Sequence, residues 1–120
     1  MLFFFFLHTD AASCAPKSPE DMQQQMAAYE ALHAEMQAEG VFVATHGLQP
    51  PSASTCVKMQ DGQAITSDGP FAETKEHIGG FYALELPDME AAIAWAKRIP
   101  AAASGTLEIR PEMHGMRKQT

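Results

Sequence analysis

The residues of this chain best suited to chemistry gather around one turn. Asp68-Gly69-Pro70 is followed by Phe71-Ala72-Glu73-Thr74-Lys75-Glu76. A carboxylate on a rigid turn at a strand end can act as a general base, or hold an ammonium or hydroxyl group of a small molecule. Aspartate in this setting also makes Asx-turns, its side chain accepting a backbone N–H to hold the loop, so both roles stay open for Asp68. Glu73 and Lys75 form the polar arm of the same block. Lys75 suits an anionic substrate group, or it pairs with a neighbouring acid in a solvated contact worth under about 1 kcal/mol.

Two further pairs have suitable chemistry. Glu108 and Arg110 alternate with Leu107 and Ile109, so the charged pair shares one strand face, where Arg110 can take a carboxylate bidentately. The plainer role for the pair is a charged edge that resists aggregation. Tyr29 and His33 stand one helical turn apart. They are placed to share a proton in a pocket, or to pack on an apolar face with their polar tips hydrogen-bonded. The catalytic candidates are therefore Asp68, Tyr29 and His33, with Arg110, Glu108, Lys75 and Glu73 as substrate-binding candidates. His8 and His46 fall near strand ends, but with His33 they show no metal-ligand spacing, so no metal is expected. Cys14 and Cys56 form no CxxC motif and read as reduced thiols. Phosphate-loop, dinucleotide and nucleophile-elbow motifs are lacking, so no cofactor is expected.

These residues need elements to position them. Leu2 to Leu7 is apolar without alternation, as in a strand buried on both faces at the centre of a sheet. Ser18, Pro19 and Asp21 make a helix start, and Gly40 supplies a stop after about Glu39. On that helix Met22, Met26, Tyr29, His33 and Met36 line one face, with Leu32 on its flank. Val41 to about Ala44 reads as a strand. Thr55–Met59 and Gln63–Thr66 flank Asp61-Gly62, a hairpin signal. Gly80 to Leu86 is a further strand, with Gly79-Gly80 suited to a bulge or a close backbone approach. Asp88 caps a helix from Met89 to about Arg98, with Met89, Ala92, Ile93, Ala96 and Ile99 inward and Trp95 beside them. Thr106 to Arg110 closes the series as an alternating strand.

The order β-α-β, hairpin, β-α-β predicts an α+β fold, a ferredoxin-like βαββαβ layer with an inserted hairpin. Two helices cover one face of such a sheet, yet the first strand is apolar on both. A second copy packed on the open face would bury it, which predicts a homodimer; the hairpin folding over that face is the alternative.

The block Ser67-Asp68-Gly69-Pro70-Phe71-Ala72-Glu73-Thr74-Lys75-Glu76, followed by Gly79-Gly80-Phe81-Tyr82, closely resembles the DGPF-domain branch of the YCII-related proteins. Gly47-Leu48-Gln49-Pro50-Pro51, Glu90-Ala91, Ala94-Trp95-Ala96, Pro100 and Glu108-Ile109-Arg110-Pro111 resemble that family in the same order. The resemblance implies a single domain over residues 1–112 with a polar tail over 113–120, and a dimeric α+β barrel. It also implies kinship with small-molecule enzymes. Relatives of the YCII type place a His of a His–Asp pair on the first helix; that position falls at Tyr29 here. Members of the branch are often encoded beside alternative sigma factors, and haem occurs in the broad fold, although no histidine here is marked as an axial ligand.

Composition narrows the functions further. Eight Lys and Arg stand against fifteen Asp and Glu, a formal net charge of −7, which disfavours direct nucleic-acid binding. No apolar run approaches the ~18 residues of a membrane span. The apolar start lacks the basic flank of a signal peptide, so a cytoplasmic location is expected. Three functional classes remain. One is a small-molecule acid/base enzyme (lyase, isomerase or hydrolase-like) with Asp68 facing a cavity. Another is a non-catalytic ligand-binding or stress-associated accessory protein, and the third a pure interaction partner of a regulatory protein.

Overall fold

A computed structural model of the chain describes residues 1–10, 18–71, 76–103 and 105–115. Cys14, Glu73, Lys75 and the end of the tail lie outside them. The fold is mixed α+β, with two helices and two antiparallel sheets. Its elements are β1 (Leu2–Asp10), α1 (Pro19–Ala38), β2 (Phe42–Gly47), β3 (Thr55–Gln60), β4 (Gln63–Asp68), β5 (Glu76–Glu85), α2 (Met89–Ala96) and β6 (Thr106–Pro111). The main sheet runs β2-β5-β1-β6, and β3-β4 forms a separate two-stranded sheet.

Local chemistry sets most element ends. The Ser18 hydroxyl accepts from the Asp21 N–H at 3.1 Å and starts α1. The Asp88 carboxylate accepts from the Ala91 N–H at 2.9 Å and starts α2. Asp61 and Gly62 both take positive φ, 51° and 79°, the pairing that lets a two-residue turn follow the strand twist.

β1 lies second from one edge of the sheet and pairs on both sides, with β5 and with β6. Its alternation divides the phenylalanines. Phe3 and Phe5 point to the helices with their register partners Leu84, Tyr82 and Ile109, and pack with Leu32, Met36, Ala92, Trp95 and Ile99. Phe4 and Phe6 point the other way, stacked at 6.2 Å, with Phe81 6.4 Å from Phe4. Arg110 lies over the Phe6 ring at 5.8 Å and His46 stands 5.6 Å from Phe81. The outer face is thus aromatic at its centre and polar at both rims.

Several boundaries and faces differ from the sequence prediction. β1 continues to Asp10 and β5 begins at Glu76, because ladder hydrogen bonds extend past the apolar residues that mark a strand in sequence. α1 buries only Leu32 and Met36, while Met22 and Met26 are 53% and 62% exposed. At about 1.5 Å per residue this 20-residue helix runs some 30 Å, and its first turns lie beyond the packed core. α2 turns Trp95 inward in place of Met89 and Ile93, which stay exposed. Arg98 then covers the indole at 5.0 Å and pairs with Glu35 of α1.

Phe5 has no exposed surface. Phe5→Ala is expected to cost about 3–5 kcal/mol in urea unfolding, whereas Met26→Ala changes stability by no more than about 0.5 kcal/mol.

Candidate functional site

β1 and β5 fall out of register between Leu7 and His8. Leu7 pairs with Gly80 and His8 with Ile78, so Gly79 is the extra residue of a bulge. Bulges bend a strand and re-aim its side chains, and they favour the neighbourhood of sites. Neighbouring Gly80 has the His46 carbonyl oxygen 2.8 Å from where a Cβ would stand, so the bulge packs tightly on β2. The Gly79 carbonyl accepts from the Leu48 N–H at 2.9 Å and fixes the segment that follows β2.

Beside this bulge opens a cleft of about 820 Å³. His8, Glu76, His77 and Ile78 form its sheet side; the segment from Leu48 to Cys56, with Pro70 and Phe71, forms the other. The hairpin base is held there by two bonds. The Gly69 N–H donates to the Ser54 carbonyl at 2.8 Å, and the Cys56 thiol donates to the Gly69 carbonyl at 3.3 Å. The walls are mostly apolar, with the Gln49 amide, hydroxyls at Ser54 and Thr55, the thiol, two imidazoles and a carboxylate. The cleft is broad and open to solvent on one side.

The residues singled out from sequence fall in three places. Asp68 ends β4 opposite Thr55, exposed and outside the described lining of the cleft, and its carboxylate has no hydrogen-bond partner among the described residues. Among the described residues the Asp-Gly-Pro turn is held by the Gly69 N–H and the Cys56 thiol. Tyr29 and His33 lie between α1 and the sheet. Their rings are 6.3 Å apart, and the partner of the His33 imidazole is the Tyr82 hydroxyl at 2.8 Å. Burial raises the Tyr29 phenol, partly offset by a hydrogen bond to the Ala101 backbone. Burial, with Tyr29 close by, pushes Tyr82 up to about 12, so Tyr82 is a neutral hydrogen-bonding group at neutral pH. Thr45, whose hydroxyl donates to the Phe81 carbonyl at 2.9 Å, adds to this knot. No contact among the described residues joins Asp68 to it. Glu73 and Lys75 belong to the undescribed segment 72–75.

Glu108 and Arg110 do share the outer face of β6, opposite the inward Leu107 and Ile109. There they bond to each other, Arg110 Nη2 to Glu108 Oε2 at 2.6 Å. The other oxygen, Glu108 Oε1, lies 2.9 Å from His8 Nε2. Arg110 first and His8 second hold the Glu108 carboxyl below the usual range, so it is ionised at neutral pH. Sequence reasoning left His8 aside because its partner lies 100 positions away. The signal available was its place just past the apolar strand.

Fold and site define a small α+β protein with a cleft between its main sheet and its hairpin. The chain belongs to the YCII-related domain family, whose sequence pattern it matches over residues 1–113. It is 28% identical over 113 residues to an uncharacterized protein of Rhizobium meliloti (strain 1021), an alignment covering 92% of this chain and 91% of that protein.

Because the Asp68 carboxylate has no described partner to lose, Asp68→Asn is expected to shift unfolding stability at pH 7 by no more than about 0.5 kcal/mol. Urea denaturation at one fixed protein concentration checks this; a loss of about 1 kcal/mol or more would show that the carboxylate holds the turn.

Proposed function

We propose that this YCII-related protein, of the DGPF branch, is an acid/base enzyme acting on a small organic molecule. The observation that carries the reading is the cleft of about 820 Å³ beside the β1–β5 bulge, where apolar walls surround imidazole and carboxylate groups. Such a cavity holds an apolar body in Leu48, Pro50, Pro51 and Phe71 while a polar group of the ligand meets His8 or His77. Bulk water still reaches the open side, so the chemistry is proton transfer in a partly shielded site rather than in a sealed one. Asp68 stands beside the mouth and serves there as a rim group.

The proposed architecture is the ferredoxin-like layer, supported by the strand order β2-β5-β1-β6 with β3-β4 set apart. The proposed assembly is a homodimer built on the outer face of that sheet. Phe4, Phe6 and Phe81 supply an apolar centre there, and burying it removes about 25 cal/mol of unfavourable hydration per Å².

Two measurements test these readings. A panel of neutral aromatic and alicyclic carbonyl compounds is screened by thermal shift against wild type and Ala53→Trp, which places an indole in the cleft. A ligand at about a hundred times its Kd is expected to stabilise wild type by about 2.7 kcal/mol and to leave the variant's midpoint unmoved; equal shifts in both proteins would remove the cleft from the function. Sedimentation velocity is expected to give a dimer for wild type and a monomer for Phe6→Lys with unchanged circular dichroism. A wild-type monomer would overturn the assembly.

A further inference from the structure

His8 belongs both to the cleft wall and to a carboxylate pair. Its Nε2 lies 2.9 Å from Glu108 Oε1, and the second oxygen of that carboxylate is bound by Arg110 at 2.6 Å. An ionised carboxylate only accepts hydrogen bonds, so Nε2 must carry the hydrogen and donate it. The lone pair of neutral His8 is then on Nδ1. One ring nitrogen is used to orient the imidazole, and the other makes no hydrogen bond among the described residues. This is the division of labour by which a carboxylate fixes the tautomer of a catalytic histidine and steadies the imidazolium that forms.

The backbone around His8 is shaped for the same end. The bulge at Gly79 lies directly across from it on β5. On β6 its register partner is Thr106, so Glu108 is its diagonal neighbour on the same face, within reach of a long side chain. Just before Thr106, a Cβ on Gly105 would collide with the His8 carbonyl oxygen. The chain therefore closes on the His8 backbone at a distance that only glycine allows. Arg110 has a contact of its own, with the guanidinium over the Phe6 ring at 5.8 Å.

We propose that His8 is the catalytic residue of the cleft, accepting and returning a proton at Nδ1, and that Glu108 is its positioning residue, held by Arg110. The proposal rests on the cleft being the ligand site. The substrate class is a neutral small molecule with an apolar body and a dissociable O–H, N–H or activated C–H. His8 takes that proton while the bonding pair stays on the substrate, and then gives the proton to an adjacent atom or a leaving group. With an activated ester the proton comes from water, whose oxygen adds to the carbonyl. The ester C–O bond then breaks, the alkoxide or phenolate leaves with the electron pair, the acid is formed, and the imidazolium passes its proton to bulk water.

The probe is 4-nitrophenyl acetate, a small neutral aromatic ester, with 4-nitrophenolate release followed at neutral pH. Wild type is expected to turn it over with saturation. His8→Gln keeps a donor for Glu108 and is expected to lower kcat by about 100-fold with KM little changed. Glu108→Ala is expected to lower kcat by about tenfold or more at unchanged KM, and Glu108→Gln, whose amide oxygen can still accept, to recover part of that loss. His46→Gln, on the outer face beyond the cleft, is expected to match wild type. A saturating rate that Ala53→Trp abolishes and His8→Gln leaves intact would overturn the assignment of His8 while preserving the cleft. A rate that never saturates and ignores Ala53→Trp would instead overturn the cleft reading, and this assignment with it. Nitrogen-15 NMR of wild type alone supplies an independent check, since a neutral His8 carrying its hydrogen on Nδ1 would overturn the proposal without any variant.

Discussion

Everything else in this molecule hangs on β1 being paired along both edges. The strand uses its backbone groups on β5 and β6 together, so its side chains can only point up or down, and both directions are apolar. Even its start is held. The Leu86 N–H donates to the Met1 carbonyl and the Glu112 N–H to the Leu2 carbonyl, and the terminal amine meets Leu86 and Glu85. With the strand clamped, Phe3 and Phe5 must enter the helix-side core and Phe4 and Phe6 must leave it. Core, outer face and site are then placed by the same alternation.

That sheet divides the polar chemistry into two sets that do not mix. On the helix side, His33, Tyr82 and Thr45 bond to one another or to backbone, tying α1 to β5 and β2. The Tyr82 hydroxyl, on a residue only 3% exposed, is paired with His33 Nε2, which is what a core requires of a buried phenol. On the other side, Arg110, Glu108 and His8 form a line along the surface that ends at the cleft. Glu108 is part-exposed, so screening limits what this line adds to stability. Its value lies in orientation, and the bulge between Leu7 and His8 is what brings that orientation to the cleft edge.

The hairpin adds the second wall. β3 and β4 are exposed along almost their whole length, so they contribute little to the core. Their base is pinned through Gly69, Ser54 and Cys56, where it meets the segment after β2. A two-stranded ribbon of this kind is marginal on its own. Held at its base, it forms one side of a cavity whose other side is the rigid sheet.

The sequence by itself determined the features that depend on neighbours within a few residues. Ser18 and Asp88 cap the helices, Asp61-Gly62 turns the hairpin, Gly79-Gly80 marks the bulge, and Leu107 and Ile109 alternate with Glu108 and Arg110. Each follows from backbone geometry or side-chain periodicity, which are local. Tertiary structure decided how far α1 outruns its core, leaving Met22 and Met26 exposed, and which way α2 turned to bury Trp95. It also decided that the partner of His33 is Tyr82, 49 positions on, and that of His8 is Glu108, 100 positions on. Spacing along a chain carries no information about such pairs. They exist because strand register brings distant residues side by side, and register is fixed only when the whole apolar face closes over its core.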